Sequence, residues 1–253
     1  MVQKIIVTPA QKSKTNQKIL FQSRTKEELS NFLKSNKQRK KINFLNLHDL
    51  YHYSKNESSK KSILDDKSLN FIDGFTISVY LSLTNLKKIP RIRGPTFTRD
   101  FLSNRKLSEN KTHFFIGPKK KDIKKLKSKM PHLKKIISYN PPYIKETNFP
   151  KTEIKKIINL INKSKANYVW VGIGCPKQNI LSQEIFPKTK AQYLINIGAA
   201  LDFLLDKKIE APPIVYELGI EWLYRLITDF NYSRKKVWRS ILGLKNLKHT
   251  RIF

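Results

Sequence analysis

Several short apolar runs in this chain each end on a glycine or a polar residue. Asn46 follows Lys41-Ile42-Asn43-Phe44-Leu45, and Asp73-Gly74 follows Leu69-Asn70-Phe71-Ile72. Gly117 follows His113-Phe114-Phe115-Ile116, Gly172 follows Tyr168-Val169-Trp170-Val171, and Gly198 follows Tyr193-Leu194-Ile195-Asn196-Ile197. Short, continuous apolar runs rich in β-branched and aromatic residues are strands buried on both faces. Residues 134–138 read as a further strand, and 4–7 as a first one. Helical patterns lie between them, at 26–35 behind a Ser23 or Thr25 cap, at about 48–53, at 75–86, at 122–130 and at 151–164. The last carries Ile154, Ile157, Ile158 and Ile161 on one stripe. A lysine-rich linker is expected after Tyr53.

Strands alternating with helices of this length make an α/β fold: a parallel sheet with crossover helices, a Rossmann-like core. Ligands of such folds bind outside the carboxyl ends of the strands. The residues at the predicted strand ends are therefore the first place to look for a site. From about Pro212 the pattern changes to helical, aromatic and basic, with no further strand expected. The chain accordingly divides into a core at 1–211 and a helical, basic C-terminal appendage at 212–253.

The formal charge is +32. Nucleic acid, an anionic membrane surface and simple lysine-rich drift each account for such a charge. The lysine clusters at 36–41, 119–129 and 151–156 are scattered between helices and lack interleaved aromatics, which makes a nucleic-acid module the less favoured partner. Cys175 is the one cysteine, so neither a disulfide framework nor a Cys-based zinc centre is expected. His48 and His52 are spaced i, i+4, but no glutamate or third ligand accompanies them in sequence, so no metal site is expected. No run of ~18 apolar residues occurs, and residues 1–10 lack the apolar core of a signal peptide. These features point to a cytoplasmic protein that meets a membrane peripherally, from its inner face.

Each candidate residue has a structural alternative. Asp73 is a general base held at a cleft mouth or a helix N-cap. Arg91 offers a fork for diphosphate oxygens or is a surface arginine, with Arg93 as a spare. Gly172-Ile173-Gly174-Cys175-Pro176-Lys177-Gln178 lacks the third glycine of a dinucleotide fingerprint, yet its frame brings backbone, Lys177 and Gln178 towards a ligand. Asp202 suits ribose hydroxyls or a structural hub. Tyr143 stacks on a base or covers the core. In the tail, Trp222, Leu223, Leu226 and Ile227 share a helix face beside Arg225, Arg234, Lys235, Lys236 and Arg239, which suits a membrane interface or docking on the core. No Asp-x-Asp motif is present for a metal-bridged nucleotide.

The order of these motifs resembles the WecG/TagA/CpsF family of bacterial glycosyltransferases over about 40–240. Asp73-Gly74, Arg91, Gly174 to Gln178, Gly198 to Phe203, Ala211-Pro212 and Glu221 to Leu226 carry the resemblance. It implies transfer of an N-acetylmannosamine-type sugar from a UDP-sugar to an undecaprenyl-diphosphate-linked acceptor. It also implies inversion without a metal or other cofactor. Asp73 would be the base and Arg91 a phosphate ligand. Asn46, Tyr143, Gly174, Lys177, Gln178, Asp202, Arg225 and Arg234 would contact substrates. Homo-oligomer formation stays open. Phe44 and Leu45 replace the family's threonine before Asn46, Asn179 its glutamate and Asp206 its glycine; these departures bear on the sugar. The alternatives are a basic nucleic-acid-binding protein, or a paralogue that binds UDP-sugar with little turnover.

Overall fold

The computed structural model describes residues 18–36, 38–144 and 147–253. The strand expected at 4–7 lies outside the described residues. Among the described residues the eight strands are β1 (Ile19–Phe21), β2 (Lys40–Leu45), β3 (Ser68–Ile72), β4 (Thr112–Ile116), β5 (Lys135–Tyr139), β6 (Tyr168–Val171), β7 (Tyr193–Asn196) and β8 (Thr250–Ile252). They form one sheet in the order β5-β4-β6-β7-β2-β3-β1-β8, and every neighbouring pair is parallel. The α/β reading of the sequence therefore holds.

The first helices are α1 (Lys26–Ser35), α2 (Leu47–Lys55), α3 (Glu57–Leu64), α4 (Phe75–Thr84), α5 (Gly94–Ser103), α6 (Arg105–Ser108) and α7 (Lys120–Lys129). They are followed by α8 (Lys151–Ser164), α9 (Lys177–Ile185), α10 (Ala200–Leu204), α11 (Pro213–Glu217), α12 (Glu221–Thr228) and α13 (Phe230–Gly243). Thr25 rather than Ser23 caps α1, in a capping box with Glu28. Two expectations need correction. The lysine-rich linker after Tyr53 is α3, because the Asn56 side chain accepts from the Ser59 amide and starts a new helix. A strand does follow Pro212: β8 pairs with β1 and returns the chain end to the core sheet.

Strand residues alternate between two layers, as a period of two requires. Tyr168 and Trp170 of β6 face α1, α5 and α7 with Leu33, Phe101 and Leu126. Val169 and Val171 face α8 and α9 with Ile157, Ile161, Leu181 and Ile185. A third cluster joins Leu45 and Ile72 to Leu50, Ile77 and Leu81 of α2 and α4. Inside the first layer His113 is fully buried. Its Nδ1 accepts from the Trp170 indole at 3.1 Å and its Nε2 meets the Ser108 carbonyl at 2.9 Å.

Polar groups inside the sheet are paired with one another. Asn43, Asn70 and Asn196 on adjacent strands link through 2.8 and 2.7 Å side-chain bonds, and Ser182 of α9 closes the row at 2.6 Å. Buried amides satisfied in this way fix which strands are neighbours. The connection from β3 to β4 passes β2, β7 and β6, so the chain crosses the sheet just after Asp73. Strand direction is shared, so Asn46, Asp73, Gly117, Gly172 and Gly198 all lie at one carboxyl edge.

Candidate active site

Asp73 leaves the end of β3, but it does not cap the helix that follows. Gly74 is the N-cap of α4, and no side chain bonds there. The Asp73 carboxylate instead accepts the Gly94 amide at 3.1 Å, at the start of α5. Burial first, and then the neighbouring Glu221, push its carboxyl up to about 6 against the pull of Arg93. A carboxylate poised near neutrality at a cleft edge suits proton abstraction from a hydroxyl.

Asn46 adjoins this turn, since a Cβ placed on Gly74 would lie 3.2 Å from the Asn46 Cα. Its side chain caps α2, accepting from the His48 amide at 3.0 Å, while Asp49 accepts from the Asn46 amide at 3.0 Å. The capping box accounts for the local fold without a ligand.

The appendage roofs the Asp73 turn. Arg91 donates to the Tyr216 carbonyl at 2.7 Å, and its guanidinium lies 5.8 Å from the Phe75 ring centre. Arg93 is buried, pairs with Glu210 at 3.0 Å and Glu221 at 3.5 Å, and lies 3.7 Å from the Tyr216 ring centre. Although burial opposes its ionisation, Arg225 and Arg93 hold the Glu221 carboxyl below its usual range. Arg225 bonds Glu221 and lies over Phe203 at 4.9 Å. Arg234 is exposed, with Phe230 5.9 Å away. The tail therefore docks on its own core, and Arg91 and Arg93 anchor it. The helical tail breaks at Asp229 into α12 and α13.

The glycine loops form the other flank. Gln178 is buried, and its Oε1 accepts the Gly198 amide at 2.9 Å, tying the β6 and β7 loops together. Gly174 has φ +81°, and nothing lies within 4 Å of a Cβ built there, so its backbone faces open space. Lys177 starts α9, bonds the Ile144 carbonyl and sits 4.9 Å from the Tyr143 ring centre. Tyr143 is 91% exposed, so it does not cover the core. Asp202 pairs with Lys207 at 2.9 Å and lines a crevice with Gly117, Gly172 and Gly198. A pocket of about 430 Å³ opens beside it, lined by Arg99, Lys129, Phe203, Lys207, Lys208 and Glu210 among others. Asp73 and Arg91 do not line that pocket.

Several groups were not legible as site residues. Glu221 and Tyr216 acquire their contacts only when the tail folds back over residues more than a hundred positions earlier. The view that no third ligand accompanies His48 and His52 does not hold: Cys175 joins them, with one ligand atom of each within 4.8 Å of the others. The signal available was an i, i+4 histidine pair together with a cysteine in a glycine-framed loop.

Parallel strands, glycine-tipped loops and a carboxylate flanked by arginines at the carboxyl edge define an α/β protein of the Rossmann-like class. The chain belongs to the glycosyl transferase WecG/TagA/CpsF family, whose model matches residues 17–245. It is 29% identical over 173 residues to the N-acetylglucosaminyldiphosphoundecaprenol N-acetyl-beta-D-mannosaminyltransferase of Bacillus subtilis (strain 168), covering 64% of this chain and 62% of that protein. It is 30% identical over 97 residues to the protein of that name from Staphylococcus aureus (strain MRSA252), covering 38% of this chain and 34% of the relative. The chain thus matches less than two thirds of the length of these curated relatives.

Proposed function

We propose that this chain is an inverting glycosyltransferase that moves an N-acetylmannosamine-type sugar from a UDP-sugar to a lipid-diphosphate-linked acceptor. The observation that carries this reading is Asp73, whose carboxyl is pushed up to about 6 beside Arg91 and Arg93 at the carboxyl edge. Asp73 takes the proton of the acceptor hydroxyl as its oxygen attacks the anomeric carbon, and the bond to the UDP oxygen breaks. Arg91, with Arg225 or Arg234 from the tail, offsets the charge growing on the leaving diphosphate. Gly174, Lys177, Gln178 and Asp202 form the nucleotide side, with Tyr143 at its rim and Asn46 on the sugar side. Metal is not needed to bridge the diphosphate, because arginines take that role.

The acceptor is a membrane lipid, and the exposed surface is compatible with one. Trp222, Leu223 and Ile227 of α12 and Val79, Leu83 and Leu86 on and after α4 are exposed. The two segments touch where Gly219 meets Phe75. No helix among the described residues is long and apolar enough to cross a membrane. We place the protein peripherally, on the inner leaflet, through α4 and α11–α13. Asp73→Asn is the test: it should keep UDP binding and the fold while transfer falls by about 10²–10⁴. Full transfer by that variant overturns the assignment.

A further inference from the structure

We propose that His48, His52 and Cys175 bind one soft divalent cation, zinc in the first instance, between α2 and the loop that joins β6 to α9. Their ligand atoms lie within 4.8 Å of one another. The two imidazole centres are 4.6 Å apart, one turn along α2. His48 is 7% exposed. Nδ1 of His48 and Nε2 of His52 are both buried without a hydrogen-bond partner among the described residues. Buried ring nitrogens are ordinarily paired, and an orphan pair facing a thiol is a structural cost that a metal ion removes.

The donor set selects the ion. Two imidazoles and a thiolate suit zinc, whereas magnesium and calcium demand oxygen ligands. Tetrahedral zinc, with bonds of ~2.0 Å to nitrogen and ~2.3 Å to sulfur, spaces its ligand atoms ~3.3–3.5 Å apart. The three atoms therefore need to close by at most ~1.5 Å, which side-chain rotation within one rotamer well supplies. Water takes the fourth position. Asp49 is buried and accepts a hydrogen bond from the Cys175 thiol, so an acceptor stands beside the proton that the thiol gives up when the ion binds. The thiolate offsets half the charge of the ion, while Lys236 and Arg239 of α13 approach the same cluster. On binding, the thiol proton passes to solvent.

The ion would fasten the loop of Gly174, Lys177 and Gln178 to the helix whose cap, Asn46, adjoins the Asp73 turn. The reading stands on local geometry, independently of the transferase proposal. The experiment uses the untagged full chain, stripped with chelator and titrated with cobalt(II) and zinc(II). Cys175 is the single cysteine, so any thiolate-to-cobalt charge-transfer band belongs to it. We expect one ion per chain, that band, and a tenfold or greater slowing of Cys175 modification by a disulfide reagent when zinc is added but not magnesium. Cys175→Ser should lose the band, and His52→Ala should weaken zinc binding at least tenfold. Absence of the band in the wild-type chain, or thiol modification unchanged at saturating zinc, overturns the proposal. Thiol protection in the wild-type chain decides the matter if either variant fails to fold.

Discussion

At the scale of residues, Asp73 and His113 show burial acting in opposite directions. The Asp73 carboxyl is raised from 3.8 to about 6 by burial and then by Glu221. Such a group contributes stability below its unfolded pKa, and that stability is lost as pH rises through the folded value. Asp73 therefore costs stability at pH 8, by at most about 3 kcal/mol, and Asp73→Asn should unfold at higher denaturant than wild type. The same carboxyl should give kcat/KM an acid limb near pH 6. Glu221→Gln removes a negative neighbour, so its acid limb should move to lower pH; an unmoved limb would show that Glu221 does not act on the base. His113 is held down to about 4 by burial, against the opposing hydrogen bond to Ser108. Its stability contribution is present above pH 6.5 and is lost as pH falls through about 4, on the order of 3 kcal/mol. Denaturant titrations at pH 7 and pH 4.5 should show the drop, and His113→Phe should reduce it.

At the scale of elements, the helices that matter are held by close approach. Gly243 ends α13, and a Cβ there would lie 2.1 Å from the Leu47 carbonyl oxygen of α2. Neither backbone can yield that distance without the helices parting. Gly243→Ala should cost about 1–3 kcal/mol in chemical denaturation and loosen α13 first, seen as faster proteolysis near that helix. Gly219 combines φ +76° with a Phe75 ring 2.3 Å from its would-be Cβ, so the α11–α12 turn accepts no side chain where it crosses α4. Sequence periodicity located α8 at its observed bounds and α1 with its cap, because those signals are local. It missed α3, where Glu57–Leu64 has a lysine-rich surface that reads as a linker. Packing of α3 against α9, with Ser59 and Ser62 fully buried, makes it a helix.

At the scale of the whole molecule, charge and exposed apolar surface act together. On the proposed membrane reading, a net +32 would draw the protein to anionic lipid, and the half-exposed Trp222 and strongly exposed Ile227 would supply the apolar contact that outlasts screening by salt. The protein should co-sediment with phosphatidylglycerol-rich vesicles, and Trp222→Glu with Ile227→Glu should weaken that binding about tenfold or more. Equal binding by the double variant would leave charge as the whole of the attraction. Docking of the tail onto Arg91 and Arg93 places this surface beside the Asp73 turn, where a lipid-linked acceptor of the proposed reaction would have to arrive.

The amino-acid sequence by itself determined the alternation of strand and helix, and it pointed to the carboxyl edge and to Asp73, Arg91 and the glycine loops as the candidates for a site. Those conclusions rest on periods of 2 and 3.6 and on turn chemistry, which neighbouring residues encode. Only the tertiary structure decided the order of the strands, the pairing of β8 with β1, and the use of Arg93 to anchor Glu210 and Glu221. It alone brought Cys175 to His48 and His52. Each of these joins residues that are far apart in the chain, through crossovers whose path no local pattern specifies. The physical reason is that burial and pairing energies are settled between surfaces after the elements have formed, and a residue's partners are then whatever the packed sheet sets against it.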